Sequence, residues 1–162
     1  MRNYVLIITY ADTDEIQGLV KQRLGNLGLE VTPNVIISWR SRDEIERKIM
    51  SIKEELTNMM ERGFEGEFAY AIIELSDEQF RAVRSLIVRR LEIENQRLIS
   101  YGENLLKRLR SQRSERIMRE YTRFDRQYRW LVMAHEAFNV KHGLLDKIMD
   151  LARELRIEFE RK

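Results

Sequence analysis

The fold is decided in residues 4–40, which read YVLIITYADTDEIQGLVKQRLGNLGLEVTPNVIISWR. The opening run YVLIITY is apolar on both faces and rich in β-branched and aromatic residues, which predicts a buried central strand. Asp12 or Thr13 can cap a helix after it, because a short oxygen-bearing side chain accepts from the free amides of a helix start. Apolar residues then recur at helical spacing up to Gly28, where we expect a left-handed stop.

Strand-like sequence resumes at residues 29–39, but Pro33 and Asn34 interrupt it. Proline cannot donate to a sheet ladder, so we expect a bulge, a bend or a tight hairpin there. The pattern does not decide whether this segment forms one strand or two. Ser41 and Glu44 have the spacing of a capping box, in which each side chain bonds the backbone amide of the other. A second amphipathic helix is therefore predicted to follow.

Residues 68–75 form the last strand-like run, and they complete an α/β unit over residues 1–76. The order strand, helix, strand or two strands, helix, strand predicts an α+β fold. Within that class we expect a ferredoxin-like plait, with both helices on one face of a mainly antiparallel sheet. A short parallel βαβαβ sheet is the alternative.

Residues 77–162 are predicted to be helical throughout, as a bundle or coiled-coil extension of three helices. The first of these keeps an apolar stripe for about eight turns. Ser114 can cap the next, whose apolar residues alternate by four and three from Ile117 to Phe138, a heptad seam that needs a partner helix. His135 lies on this seam, and we expect it to be a packed core residue rather than a catalyst.

The charge of the chain is unevenly distributed. The net charge is +2, yet residues 1–76 carry 9 Lys and Arg against 13 Asp and Glu, whereas residues 77–162 carry 20 against 14. Nine basic and three acidic residues lie between Lys107 and Arg129, so the whole excess of the second part is concentrated there. Such a block is typical of a surface that meets a polyanion.

Arginines recur every three or four residues through this block. The candidate nucleic-acid-binding residues are Arg110, Arg113, Arg116, Arg119, Arg123, Arg126 and Arg129. Arginine suits phosphate because its planar fork makes paired, charge-assisted hydrogen bonds, and a row of arginines binds a DNA or RNA backbone without reading its sequence. The alternative is that these side chains solvate a helix and pair with Glu115, Glu120 and Asp125 at helical spacing.

Other chemistry has little basis in the sequence. The absence of cysteine excludes disulfides and thiolate chemistry, no glycine-rich phosphate loop is present, and we predict no cofactor, no bound metal and no catalytic residue. An alternative is that Asp12 with Asp14 and Glu15 gathers a divalent cation such as Mg²⁺ at the end of the first strand. Helix capping explains the same residues without a metal.

The remaining composition bears on the environment of the protein. No apolar run approaches the roughly 20 residues that a membrane helix requires, and the amino terminus has no pattern of a secretory signal. We therefore expect a cytoplasmic protein. Charged residues make up 35% of the chain, with a single proline, a composition typical of ion-pair-rich thermophile proteins.

Parts of the chain resemble a known family. The runs YVLIITY and VKQRLGNLGLEVTPNVIISWRSRDEIERKIMSIKEEL, with the later ENQRLISYGENLLKRLRSQ, look like the amino-terminal domain of the chromate-resistance regulators, ChrB. The resemblance implies a plait followed by an arginine-bearing helical region, and a role in transcriptional control. The plait also resembles the small CRISPR adaptation nuclease-like subunits, in which an acidic residue follows strand one, as Asp12 does here.

Three functions are consistent with these patterns. The first is a non-enzymatic regulator that associates with nucleic acid through its arginine-rich helix, with the plait mediating self-association. The second is a homo-oligomeric scaffold built on the heptad seam, and the third is a metal-dependent nuclease that uses Asp12. We favour the first because the positive charge is concentrated on one helix.

Overall fold

A computed structural model describes residues 3–161 of the chain, which is mixed α+β and mostly helical. The chain divides into two compact units, Met1–Ile87 and Val88–Lys162. Each unit is described by itself below. Within residues 3–161, no helix combines the length and the apolar character that crossing a membrane requires.

The first unit contains a four-stranded antiparallel sheet and two complete helices. In chain order these are β1 Tyr4–Ala11, α1 Asp14–Leu24, β2 Gly28–Thr32, β3 Val35–Ser38, α2 Arg42–Glu61 and β4 Phe68–Leu75, after which α3 Asp77–Ser111 begins. The sheet order is β2-β3-β1-β4, and β1 pairs antiparallel with both of its neighbours. The parallel βαβαβ alternative is therefore wrong.

The interruption at Pro33 and Asn34 is a hairpin between two strands. Asn34 adopts the left-handed conformation with φ 66°, which asparagine tolerates better than most residues. The hairpin is fixed to the central strand, because the amide of Thr9 donates to the carbonyl oxygen of Asn34 at 3.0 Å. The register of β2 with β3 shifts between Glu30 and Thr32, so this edge of the sheet is irregular.

The predicted left-handed stop at Gly28 is wrong. Helix α1 ends at Leu24 and is followed by Gly25 in the right-handed conformation, while Gly28 already opens β2. A side chain at Gly28 would collide with the backbone of Ile37, so glycine serves a close approach of two strands here. The left-handed glycine lies instead at Gly63, with φ 91°, just after α2.

Both helices of the first unit pack on one face of the sheet. Thr13 caps α1 and Ser41 caps α2 through their side-chain oxygens, as the sequence predicts. The core between helices and sheet consists of buried aliphatic residues from β1, β3, α1, α2 and the loop that follows α1: Val5, Ile7, Ile16, Val20, Leu24, Leu27, Ile36, Ile45, Ile49 and Ile52. On the other face, the ring of Tyr4 stacks on the ring of Phe80 with centroids 3.9 Å apart.

The second unit consists of the rest of α3 with α4 Glu115–Phe138 and α5 Gly143–Glu160. Ser114 caps α4, as predicted, and Asn139 ends it in the left-handed conformation with φ 53°. The heptad seam of α4 is buried within this unit at Ile117, Phe124, Leu131, His135 and Phe138. Its partner helices are therefore in the same chain, and the seam is not left open for a second copy.

At Gly102, α3 lies close to both α4 and α5. A Cβ atom there would lie 2.6 Å from Leu151 Cδ2 of α5 and 2.7 Å from Phe124 Cε2 of α4, which is too close for any side chain. Phe124 is 1% exposed, so its ring has no free space to move into. Glycine in mid-helix, which normally weakens a helix, is retained here because it lets three helices meet.

We expect opposite effects from the same substitution at two helical glycines. Gly102→Leu overpacks the helix junction and lowers the free energy of unfolding by about 1–3 kcal/mol. Gly18→Leu in α1, where nothing lies within 4 Å of the new Cβ atom, raises it by about 0.5–1 kcal/mol through helix propensity. Urea unfolding followed by circular dichroism measures both, and a stabilising Gly102→Leu would contradict the packing described here.

Candidate polyanion-binding surface

Helix α4 carries arginines on the side opposite its buried seam. Residues three and four apart share a helical face, so Arg119, Arg123 and Arg126 lie on one side of α4 while Ile117 and Phe124 face the core. All three arginines are exposed. From the first to the last they extend about 10 Å along the helix axis.

Four of the seven predicted arginines are engaged within the chain. Arg110 lies 3.9 Å from Glu154 and 4.0 Å from Glu158, both on α5. Arg113 donates to the last carbonyl oxygens of α5, at 2.7 Å to Glu158. The other two follow helical spacing: Arg116 pairs with Glu120 at 3.6 Å, and Arg129 pairs with Asp125 at 3.0 Å.

The remaining three arginines, Arg119, Arg123 and Arg126, are here named the α4 arginine row. In the described part of the chain the structure records no ion pair for any of them. Glu115, an acid that the sequence places nearby, pairs with none of them either. The alternative that intrachain acids neutralise the basic block therefore holds for part of it and fails for the row.

Glu120 shows how the acids near the row are used. Its carboxylate is bonded by Arg108 of α3 at 2.5 Å and approached by Arg116 of α4. The hydrogen bond from Arg108 is the main reason that the pKa of Glu120 is lowered, and the charge of Arg116 adds to the effect. Glu120 is thus an anion already committed to two cations outside the row, Arg108 and Arg116.

A cleft of about 270 Å³ opens in the second unit between α3 and α4. Its lining includes Tyr101, Gln127 and Trp130, together with Arg97 of α3, whose side chain is 65% exposed. Tyr101 donates from its hydroxyl to the carbonyl oxygen of Glu120 at 3.2 Å. Burial raises the pKa of Tyr101, the charge of Glu120 adds to the rise, and the nearby cation of Arg123 partly opposes it, so one arginine of the row lies near the cleft.

The carboxylates proposed for a metal have other contacts. Asp12 Oδ1 accepts from the amide of Glu67 at 2.7 Å and so holds the start of β4 to the end of β1. Asp14 and Glu15 lie in the first turn of α1. Across residues 3–161, no group of three or more histidine, cysteine, aspartate or glutamate side chains is placed to hold a metal ion.

His135 is a packed core residue, as the sequence predicts, and it is 2% exposed. Its Nδ1 lies 3.0 Å from the carbonyl oxygen of Val140, and its Nε2 lies 2.9 Å from the side-chain oxygen of Asn95, which is fully buried. A half-turn of the Asn95 amide would place its NH₂ group against Nε2 of a neutral ring. Burial lowers the pKa of His135, while the bond to Val140 opposes this and the charge of His142 adds to it.

Comparison with protein-family models, with curated proteins and with solved structures finds no significant match to this chain.

Two features of this surface could not be predicted from the sequence. Arg97 was not singled out, because its place beside α4 depends on how α3 packs against that helix. The pairing of Arg110 and Arg113 with the end of α5 likewise depends on tertiary structure. The stripe of α3, which places Arg97 next to the buried Leu98, was the one available signal.

The buried His135 predicts a pH dependence of stability. Its pKa in the folded state is lowered from the ordinary 6.5, so below that pH the unfolded chain binds more protons than the folded one and stability falls. The slope reaches at most about 1.4 kcal/mol per pH unit, the value for one proton. Urea unfolding at several pH values measures it.

Variants at both histidines separate the sources of this dependence. His135→Gln should flatten the change in stability between neutral pH and mild acid. His142→Gln, which removes the side chain that caps α5 by accepting from Leu144, should leave most of it in place. An unchanged pH dependence in His135→Gln would show that another group is responsible.

Proposed function

We propose that this protein is a non-enzymatic regulator that associates with nucleic acid, and that the α4 arginine row binds the phosphate backbone. The observation that supports this most strongly is the set of three exposed guanidinium groups on one helical face, for which residues 3–161 supply no ion pair. An exposed cluster of like charge raises the local concentration of anions and speeds their association with the surface. A polyanion is the partner that would use all three together.

The dimensions of the row suit a nucleic-acid backbone. Its length of about 10 Å corresponds to the axial rise of about three base pairs at 3.4 Å each. Each guanidinium can form a bidentate pair with a phosphate. Contacts of this kind position a protein on DNA or RNA but do not specify a sequence, so we infer binding that depends on charge more than on base identity.

The basic side chains beside the row extend the same surface. Arg116 and Arg129 are 82% and 78% exposed although each has an ion pair, and such exposed pairs are worth little in water. A phosphate can therefore compete for them. Arg97 in the neighbouring cleft could contribute a further contact from α3.

We further propose that the first unit is a ferredoxin-like plait. The strand order β2-β3-β1-β4, the antiparallel pairings and the packing of α1 and α2 on one face support this. The resemblance to the amino-terminal domain of the chromate-resistance regulators supports a role in transcriptional control. No metal or redox chemistry of that family is carried over to this chain.

Removal of the row should weaken binding of labelled duplex DNA or RNA. We expect the triple variant Arg119→Gln, Arg123→Gln, Arg126→Gln to lose affinity and to reduce the slope of log K against log salt by about 3, since each phosphate contact to B-DNA contributes about 0.9. Fluorescence anisotropy between about 50 and 200 mM salt covers the range in which such contacts change affinity by orders of magnitude.

A matched control removes the same charge elsewhere. Arg47, Arg62 and Arg81 are exposed arginines of the first unit, and their triple replacement by glutamine lowers the net charge equally. We expect this control to keep most of the salt slope. Equal losses in the two triple variants would mean that net charge alone attracts the nucleic acid, and equal binding by the row variant and the parent would contradict the proposal.

A further inference from the structure

Strand β4 is an unprotected edge of the sheet. It pairs with β1 along its whole length, from Tyr4 with Leu75 to Ala11 with Phe68, without a bulge. In the described residues no strand pairs with its other side. Its sequence, FAYAIIEL, contains no proline and no glycine, and Glu74 is its single charged residue. Edge strands are usually protected by charged residues, by proline or by a bulge.

The backbone groups on the free side of β4 follow from two hydrogen bonds. The amide of Asp12 donates to the carbonyl oxygen of Glu67, so Glu67 faces β1, and the amide of Thr9 faces the other neighbour, β3. Backbone groups alternate in direction along an antiparallel strand. Phe68, Tyr70, Ile72 and Glu74 therefore point their amides and carbonyls away from the sheet.

Apolar side chains accompany this free backbone. On the sheet face opposite α1 and α2, Ile8 is 40% exposed, Tyr10 is 54% exposed and Ile73 is 40% exposed. Ala69 and Ala71 of β4 are also exposed there. The exposed patch thus continues up to the edge, where a further strand would extend it.

The charges beside the edge favour a second copy of the same chain as that strand. Lys53 of α2 donates to the hydroxyl of Tyr70 at 3.0 Å, and its Nζ lies 4.7 Å from the centre of the Tyr70 ring. In an antiparallel pair with Ile72 opposite Ile72, Tyr70 of each copy lies opposite Glu74 of the other. The one charge on the strand then meets Lys53 across the edge, twice by symmetry.

The same register fits the other face. Residues directly opposite in an antiparallel pair share a face, so Ala71 of one copy lies opposite Ile73 of the other, a small side chain against a large one. A register with Ala71 on the axis would place Glu74 opposite Phe68 instead. Charge and size both favour Ile72 on the axis.

We propose that β4 pairs antiparallel with β4 of a second copy of this chain, with Ile72 on the two-fold axis, to form a continuous eight-stranded sheet. This interface does not rest on the binding of nucleic acid, because none of its residues belongs to the α4 arginine row. The interface lies in the first unit, to which we assign self-association in the favoured function.

A charge swap tests the pairing of Lys53 with Glu74. We expect the parent to sediment as a dimer at micromolar concentration, and Lys53→Glu or Glu74→Lys to weaken dimerisation about tenfold, since each places two like-charge pairs across the edge. The double variant Lys53→Glu, Glu74→Lys should restore the dimer to within about twofold of the parent. Lys48→Glu, an equal change of charge at another exposed position of α2, should leave dimerisation unchanged.

Two outcomes would overturn the interface. One is a parent that sediments as a monomer at these concentrations. The other is a double variant that dimerises no better than the single ones, because a loss without restoration would come from something other than this charge pair. Circular dichroism of each variant establishes that the exposed substitutions leave the fold intact.

Cysteine cross-linking tests the register. The parent contains no cysteine, and Ala71 and Ile73 across the edge would form a non-hydrogen-bonded pair with Cα atoms about 4.5 Å apart, within disulfide range. A mixture of Ala71→Cys and Ile73→Cys proteins should form a disulfide-linked dimer under mild oxidation, whereas neither variant alone should do so. Cross-linking of Ala71→Cys with itself would overturn the register, and no cross-link in the mixture would overturn the pairing.

Discussion

Phe124 packs against the bare backbone of Gly102, and this contact directs the apolar side of α4 toward α3. Phe124 is buried, and a side chain at Gly102 would meet both it and Leu151, so the three helices of the second unit come together closely at this point. A helix whose apolar stripe is used within its own chain must present its opposite side to the surroundings. The exposure of the α4 arginine row follows from this constraint, and so does the loss of the heptad seam as a surface for another copy.

Charge then separates the basic residues into two groups. Four of the predicted arginines have partners in the chain. Two of these partners, Glu154 and Glu158, are acids of α5 that are distant from the arginines in sequence. Glu120 is held by Arg108 and Arg116, so it does not neutralise the row. Within the basic block between Lys107 and Arg129, the exposed charge of the row is therefore the part that the acids of the described chain do not pair. That is the physical basis for inferring an external polyanion.

Much of the fold could be predicted from periodicity and caps, because both are local. The caps at Thr13, Ser41 and Ser114 and the long third helix are confirmed. The sequence could not decide between a bulge, a bend and a hairpin at Pro33, because proline is compatible with all three. The predicted helix stop at Gly28 was wrong because the role of this glycine depends on a neighbouring strand. On the surface, the sequence could locate the arginines but not all of their partners. The partners on α5 are distant in sequence and reach the arginines only through tertiary packing. The β4 edge likewise needed the strand order before its free side could be recognised.

We propose that the α4 arginine row, and not the basic composition of the chain, contacts phosphate. The direct test is the extent to which phenylglyoxal modifies each arginine, with and without saturating duplex DNA or RNA. Peptide mass spectrometry quantifies each site. Our account predicts protection of Arg119, Arg123 and Arg126 by nucleic acid, while Arg47 and Arg62 react equally in both samples. Equal reactivity of the three row arginines with and without nucleic acid would contradict it.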